Sequence, residues 1–185
     1  NTGGQMSKAT PKGAVAKFAA AGKPGKKKDL SMIAMAYENI YVSHVAFGAK
    51  DMQTLKAFME AESYPGPSLI IAYSPCIAHG VDLSFNLRQQ ELAMKSGHWN
   101  LFRYDPRRLA DGKNPLQLDS KEPSIPYSDF SSTEMRFSML QRSHPNIAKE
   151  LIRQAEAEAK ERYEHYKKLS EITYDSEQET DLAQE

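Results

Sequence analysis

Apolar residues along this chain fall into runs whose period changes from segment to segment. Residues 68–73 (Ser68, Leu69, Ile70, Ile71, Ala72, Tyr73) are nearly all apolar without alternation, the pattern of a strand covered on both faces of a parallel sheet. Residues 41–47 and 99–104 are short and rich in aromatic and β-branched types, and each predicts a further strand. Between these runs the period lengthens. Met52, Leu55, Phe58 and Met59 recur at helical spacing over residues 51–62. Asp29 stands at the favourable end of another helix, running to Glu38. Gly80, Val81 and Asp82 lead into a helix that ends near Lys95 and is closed by Gly97. Residues 10–22 predict one more, with Thr10 as N-cap, Pro11 in the first turn, and Gly22 and Pro24 as the stop.

The last third reads differently. Residues 105–126 hold four prolines and no helical period, which predicts an irregular excursion with room for a short hairpin. Residues 130–142 form one helical stretch. Pro145 then opens a long helix to about Ser170, with Ile147, Leu151, Ile152, Ala155, Ala159, Tyr163 and Tyr166 as its apolar stripe. Glu156 with Lys160, Glu158 with Arg162, and Glu164 with Lys168 are spaced for ion pairs four residues apart, each contributing a few tenths of a kcal/mol. Helices and strands in alternation predict a layered α/β domain with a mostly parallel sheet and a long C-terminal helix.

Composition narrows the function classes. The 24 basic and 24 acidic side chains cancel, which favours neither nucleic acid nor an anionic membrane as partner. No apolar run approaches the roughly 20 residues of a membrane helix. One cysteine excludes an internal disulfide framework and reads as a cytoplasmic chain. Charge is nonetheless uneven. Residues 1–28 carry seven lysines and no acid, and residues 171–185 carry six acids and no base. That acidic end is expected to be a disordered tail. The chain opens without Met, in what reads as a loop, and is expected to be a fragment.

Three features carry candidate chemistry. Asn1, Thr2, Gly3, Gly4 and Gln5 form a flexible polar loop of the kind that approaches a diphosphate closely, although a turn before a helix is the simpler account of the spacing. Cys76 follows the clearest strand, at the sheet edge where α/β proteins place their sites. A thiol there suits a metal, whereas a lone cysteine is as a rule a small buried hydrophobe, and without a CxxC it cannot complete a cluster alone. His79, three residues on, invites a Cys–His dyad, but a simple turn explains that spacing. His44, His98, His144 and His165 are scattered without metal-ligand spacing. The lysine-rich start lacks arginine, has almost no interleaved aromatics and is broken by an apolar stretch, and reads as a solvated or subunit-facing surface.

The residues at both candidate sites resemble a known family. Residues 1–11 (Asn-Thr-Gly-Gly-Gln-Met-Ser-Lys-Ala-Thr-Pro) resemble the end of the thiamin-diphosphate motif of pyruvate:ferredoxin (flavodoxin) oxidoreductases. Residues 13–23, 61–64 and 74–80 continue the resemblance in order, over roughly residues 1–170. It implies the C-terminal part of a thiamin-diphosphate-binding domain over residues 1–170, followed by the tail at 171–185. It also implies oxidative decarboxylation of pyruvate to acetyl-CoA and CO2, with electrons passing through [4Fe–4S] clusters to ferredoxin or flavodoxin. Asn1 would contact cofactor and pyruvate, Thr2 the cofactor, and Cys76 would be one ligand of the cluster nearest the thiamin. The residues holding Mg²⁺ and the remaining cluster cysteines would lie outside the chain, so the isolated chain is expected to be inactive. Coenzyme A as co-substrate and a homodimeric full-length enzyme complete the implication. Two readings compete: an oxidoreductase for another 2-oxoacid, and a non-catalytic interaction module docking through its long helix.

Overall fold

The computed structural model describes residues 4–174. Its elements follow the sequence α1 (Leu30–Met35), β1 (Tyr41–Val45), α2 (Asp51–Ser63), β2 (Ser68–Ala72), α3 (Asn86–Lys95), β3 (Phe102–Tyr104), β4 (Leu116–Leu118), α4 (Tyr127–Ser131), α5 (Met135–Ser143) and α6 (Pro145–Ser170). The α/β class and the long final helix are as expected. Asp29 caps α1 by accepting from the Met32 amide at 3.1 Å, and Pro145 occupies the first turn of α6.

The sheet runs β2-β1-β3-β4 and is mixed rather than mostly parallel. Only β1 and β2 pair in parallel, from Tyr41 opposite Ser68 to Val45 opposite Ala72. β1–β3 and β3–β4 pair antiparallel, with Val42 opposite Tyr104 and Phe102 opposite Leu118. Within the 105–126 excursion only β4 is a strand, and it pairs back on β3, which precedes the excursion. β2, expected to be covered on both faces, is an edge strand with exposed ends and half-buried Leu69, Ile70 and Ile71. Its unbroken apolar run describes its side chains; it does not ensure that elements of this chain cover them.

Strand alternation divides the sheet into two faces. Val42, Phe102 and Tyr104 join Ala34 and Met35 of α1 and Tyr166 of α6 in one cluster. Arg103 and Tyr41 point the other way, toward α2. A second cluster gathers Trp99, Leu101, Tyr127, Phe130, Phe137, Ala155 and Ala159 around α4, α5 and α6.

Two helix expectations fail. Residues 10–22 form turns and isolated bridges, because their backbone pairs elsewhere. Gly13 and Ala14 exchange hydrogen bonds with Lys23, and the Val15 amide donates to Arg136 O at 2.7 Å. Residues 130–142 split into α4 and α5 around Glu134, whose backbone is extended and whose carboxylate turns inward. Along α6, Glu156 pairs with Lys160 at 3.1 Å as expected, while Glu158 turns away from Arg162 to Lys12 at 2.7 Å. The expectation for residues 171–185 falls largely outside the described residues.

Candidate functional site

Cys76 lies just beyond the C-terminal end of β2, half-buried, on a segment that leaves the sheet through Ser74 and Pro75. A 3-10 turn over Ile77–His79 follows, closed by hydrogen bonds from His79 N to Cys76 O and from Gly80 N to Ile77 O, both 2.9 Å. Gly80 ends the turn at φ 70°, and a Cβ there would overlap Met135. Glycine is therefore required twice, by backbone conformation and by close approach to α5.

A polar knot fastens this segment from below. Glu134 is fully buried and accepts from Tyr73 Oη at 3.0 Å, Gln89 Nε2 at 3.0 Å and Arg136 Nε at 2.5 Å. Thr133 Oγ1 donates to Gln89 Oε1 at 2.7 Å, tying α3 to the same break. Three donors, one of them the Arg136 guanidinium, offset the cost of burying this carboxyl group. Burial, followed by the Glu134 charge, pushes the Tyr73 phenol well above its ordinary pKa. Burial, followed by the Arg136 charge, lowers the His79 pKa. Tyr73 precedes Cys76 by three residues, so the Glu134 knot sets where the Cys76 turn begins. Sequence reading missed Glu134, Gln89 and Arg136. Gln89 occupies a buried helix position that periodicity treats as apolar, and Glu134 sits in a break that no period marks.

The Cys–His dyad is not formed. His79 meets Cys76 through its backbone amide, and no hydrogen bond joins Sγ to the imidazole among the described residues. The thiol's chemistry does fit a metal thiolate: the residue is partly exposed, free of any disulfide, and followed by exposed Ile77, Leu83 and Phe85. Among the described residues no three His, Cys, Asp or Glu side chains converge to hold a metal. Asn1 and Thr2 lie outside the described residues.

No protein-family model matches the chain. A pyruvate-flavodoxin oxidoreductase of Trichormus variabilis is 56% identical over 170 residues, which make up 92% of this chain and 14% of that protein. This chain is homologous to one segment of such oxidoreductases. The pyruvate:ferredoxin oxidoreductase of Moorella thermoacetica is 52% identical over 171 residues, covering 92% of this chain and 15% of its own length. A probable pyruvate-flavodoxin oxidoreductase of Escherichia coli is 48% identical over 164 residues, or 89% and 14% respectively. The chain thus spans about one seventh of the length of these oxidoreductases. Among its described residues no helix is long and apolar enough to cross a membrane.

Proposed function

We propose that this chain serves a pyruvate:ferredoxin (flavodoxin) oxidoreductase as the segment that carries one cluster ligand, Cys76, and one cofactor loop, at Asn1 and Thr2. The observation behind this reading is identity of 48–56% over about nine-tenths of the chain to segments of proteins bearing those names. The whole enzyme would oxidise pyruvate to acetyl-CoA and CO2 in the cytoplasm, as a homodimer, and pass electrons to ferredoxin or flavodoxin. When bound, thiamin diphosphate with Mg²⁺ supplies an electron sink and [4Fe–4S] clusters supply one-electron acceptance.

The chain's own residues have narrower tasks. Cys76 would give up its proton and hold iron through Sγ, and a half-buried turn limits water at that sulfur. Gly80 and the Tyr73–Glu134 hydrogen bond hold the path of the turn, so the thiolate is presented without reordering the chain. Asn1 would bind the substrate through its side-chain amide, and Thr2 would contact the cofactor. Coenzyme A takes up the acetyl group at a site supplied by the rest of the enzyme.

The test is Cys76→Ser in a full-length enzyme carrying this sequence, purified without oxygen beside wild type. The expected result is loss of about one cluster's worth of iron and collapse of pyruvate-dependent electron transfer, with thiamin binding retained. Unchanged iron and unchanged rate would make Cys76 an ordinary structural cysteine. The isolated chain should show no pyruvate oxidation, and turnover by it alone would overturn the division of labour proposed here.

A further inference from the structure

Beneath the loop at residues 23–29, on the α6 side of the sheet, lies a cavity of about 250 Å³. Its walls are rigid. The Trp99 indole donates through Nε1 to Val45 O at 3.1 Å and stacks on His44 at 4.4 Å, and His44 stacks in turn on Phe102 at 4.6 Å. Asp29 is the one acid among the lining residues, and it already holds three donors. It accepts from Ser31 Oγ at 2.6 Å, the Met32 amide at 3.1 Å and Tyr166 Oη at 2.6 Å.

The cations of this cavity are not satisfied. Lys27 makes no salt bridge and no hydrogen bond among the described residues, Asp29 acts on it only through space, and its Nζ lies 6.0 Å from the Trp99 ring centre. Desolvation, then the Arg162 charge, lowers the pKa of its amine. Arg162 commits Nη2 to the carbonyls of Gly97 and His98, at 3.0 and 2.9 Å, and its Nε and Nη1 have no partner among the described residues. Glu158, four residues before Arg162, is engaged by Lys12. His98 pairs through Nδ1 with Tyr127 Oη at 2.9 Å, and its Nε2 has no partner among the described residues. Two partly desolvated cations and a free ring nitrogen therefore border a void whose remaining walls include Leu30 and Ile71. Such cations are stabilised by a matching anion, and apolar walls favour one with an apolar body over a phosphate.

We propose that this cavity binds a small carboxylate, its charge met by Lys27 and Arg162 and its apolar part lying against Leu30 and Ile71. A void of 250 Å³ falls below the roughly 300 Å³ at which drug-sized pockets begin, so the occupant is of about one-ring size. The carboxylate has two conceivable sources: a free organic acid, or an Asp or Glu side chain from a part of the protein beyond these 185 residues. The site is separate from Cys76, and the inference does not depend on the electron-transfer reading.

The experiment uses a full-length enzyme carrying this sequence, as wild type, Lys27→Met and Lys27→Arg. Calorimetric titration with benzoate, and with the neutral isostere benzamide, tests the free acid. Benzoate should bind wild type at least about tenfold more tightly than Lys27→Met, the effect of one charge-assisted hydrogen bond, while benzamide fails to compete. Lys27→Arg should restore most of the affinity, which separates lost charge from lost folding. Zero-length carbodiimide coupling with peptide mapping tests the second source, and a link from Lys27 to an acid outside residues 1–185 would support it. Benzoate binding that ignores Lys27, or none at all, together with no such link, would overturn the proposal.

Discussion

α6 and α2 pack on opposite faces of one sheet, and the chain holds them by opposite means. α6 turns Ala148, Leu151, Ala155, Ala159, Tyr163 and Tyr166 inward, so its apolar stripe is its attachment. α2 carries an equally regular stripe and turns it outward: Met52, Leu55, Phe58 and Met59 are 68, 51, 54 and 61% exposed. Gln53 and Ala57 face the sheet instead. Polar groups hold α2 in place. Arg103 of β3 donates from Nη1 to Glu60 Oε1 at 2.6 Å, Tyr41 Oη donates to Glu60 Oε2 at 3.0 Å, and Gln53 Nε2 donates to His44 O and Asp119 Oδ2. Helical spacing thus identifies residues that share a face, and the facing surface decides which face turns in.

The comparison breaks most sharply at Arg103. Its guanidinium is almost wholly buried and also binds Asp119 through Nε and Nη2, both at 2.9 Å. Arg103→Met leaves Asp119 without a charged partner and Glu60 with only the exposed Lys56 at 3.9 Å, and should destabilise the chain by about 4 kcal/mol in urea unfolding. Adding Glu60→Gln and Asp119→Asn should recover much of that loss, since no buried charge is then left alone. A loss below about 1 kcal/mol for Arg103→Met would mean that α2 is held in some other way.

The α6 side responds to pH instead. His44 lies between the Trp99 and Phe102 rings, with Nε2 3.0 Å from Ser31 Oγ, and burial lowers its pKa to about 4 against the opposing pull of Asp29. In the unfolded chain a histidine titrates near 6.5. Between these values the unfolded state binds the extra proton. Stability is therefore full above about pH 6.5 and falls as pH drops toward 4, by on the order of 3 kcal/mol. Urea midpoints at pH 7 and pH 5 would measure this, and His44→Gln should shrink the difference, leaving the part that buried His98, also lowered by burial, contributes in the same direction. A midpoint independent of pH would show that folding leaves the His44 pKa where it stands in the unfolded chain. On the same side, Leu151→Ala should cost about 2.5 kcal/mol, because it opens space beside Leu140 and Gly22.

What the sequence disclosed follows the same division. Local signals were legible: the Asp29 cap, Pro145 at the start of α6, and the strand leading to Cys76. Long-range partners were not. Nothing local announces that residues 13–15 pair with Lys23 and Arg136, so an alanine-rich run with a plausible cap and stop still forms no helix. The continuous run of β2 was legible as a strand, but its place at the sheet edge depends on which strands lie beside it. At the candidate site, Cys76 and its turn were visible, whereas Glu134 was not. A buried carboxylate is a feature of three-dimensional pairing, with Tyr73 61 residues away and Gln89 45 residues away.

The smallest predicted effect is on α2's outer stripe, where the comparison is sharpened rather than broken. Phe58→Gln keeps good helix propensity and removes a side chain that already stands more than half in water. The ring's transfer from water is therefore largely unrealised in this chain, and the change should alter the unfolding free energy by no more than about 0.5 kcal/mol. Leu55→Gln should behave alike, and the pair should add, since neither residue contributes to the buried side of α2. Solubility should rise at the same time, because four large apolar side chains on one exposed face form a contiguous patch that favours self-association. If Phe58→Gln instead matched Leu151→Ala, the outward stripe would be packed in solution as the inward stripe of α6 is, and the two helices would no longer be held by different means.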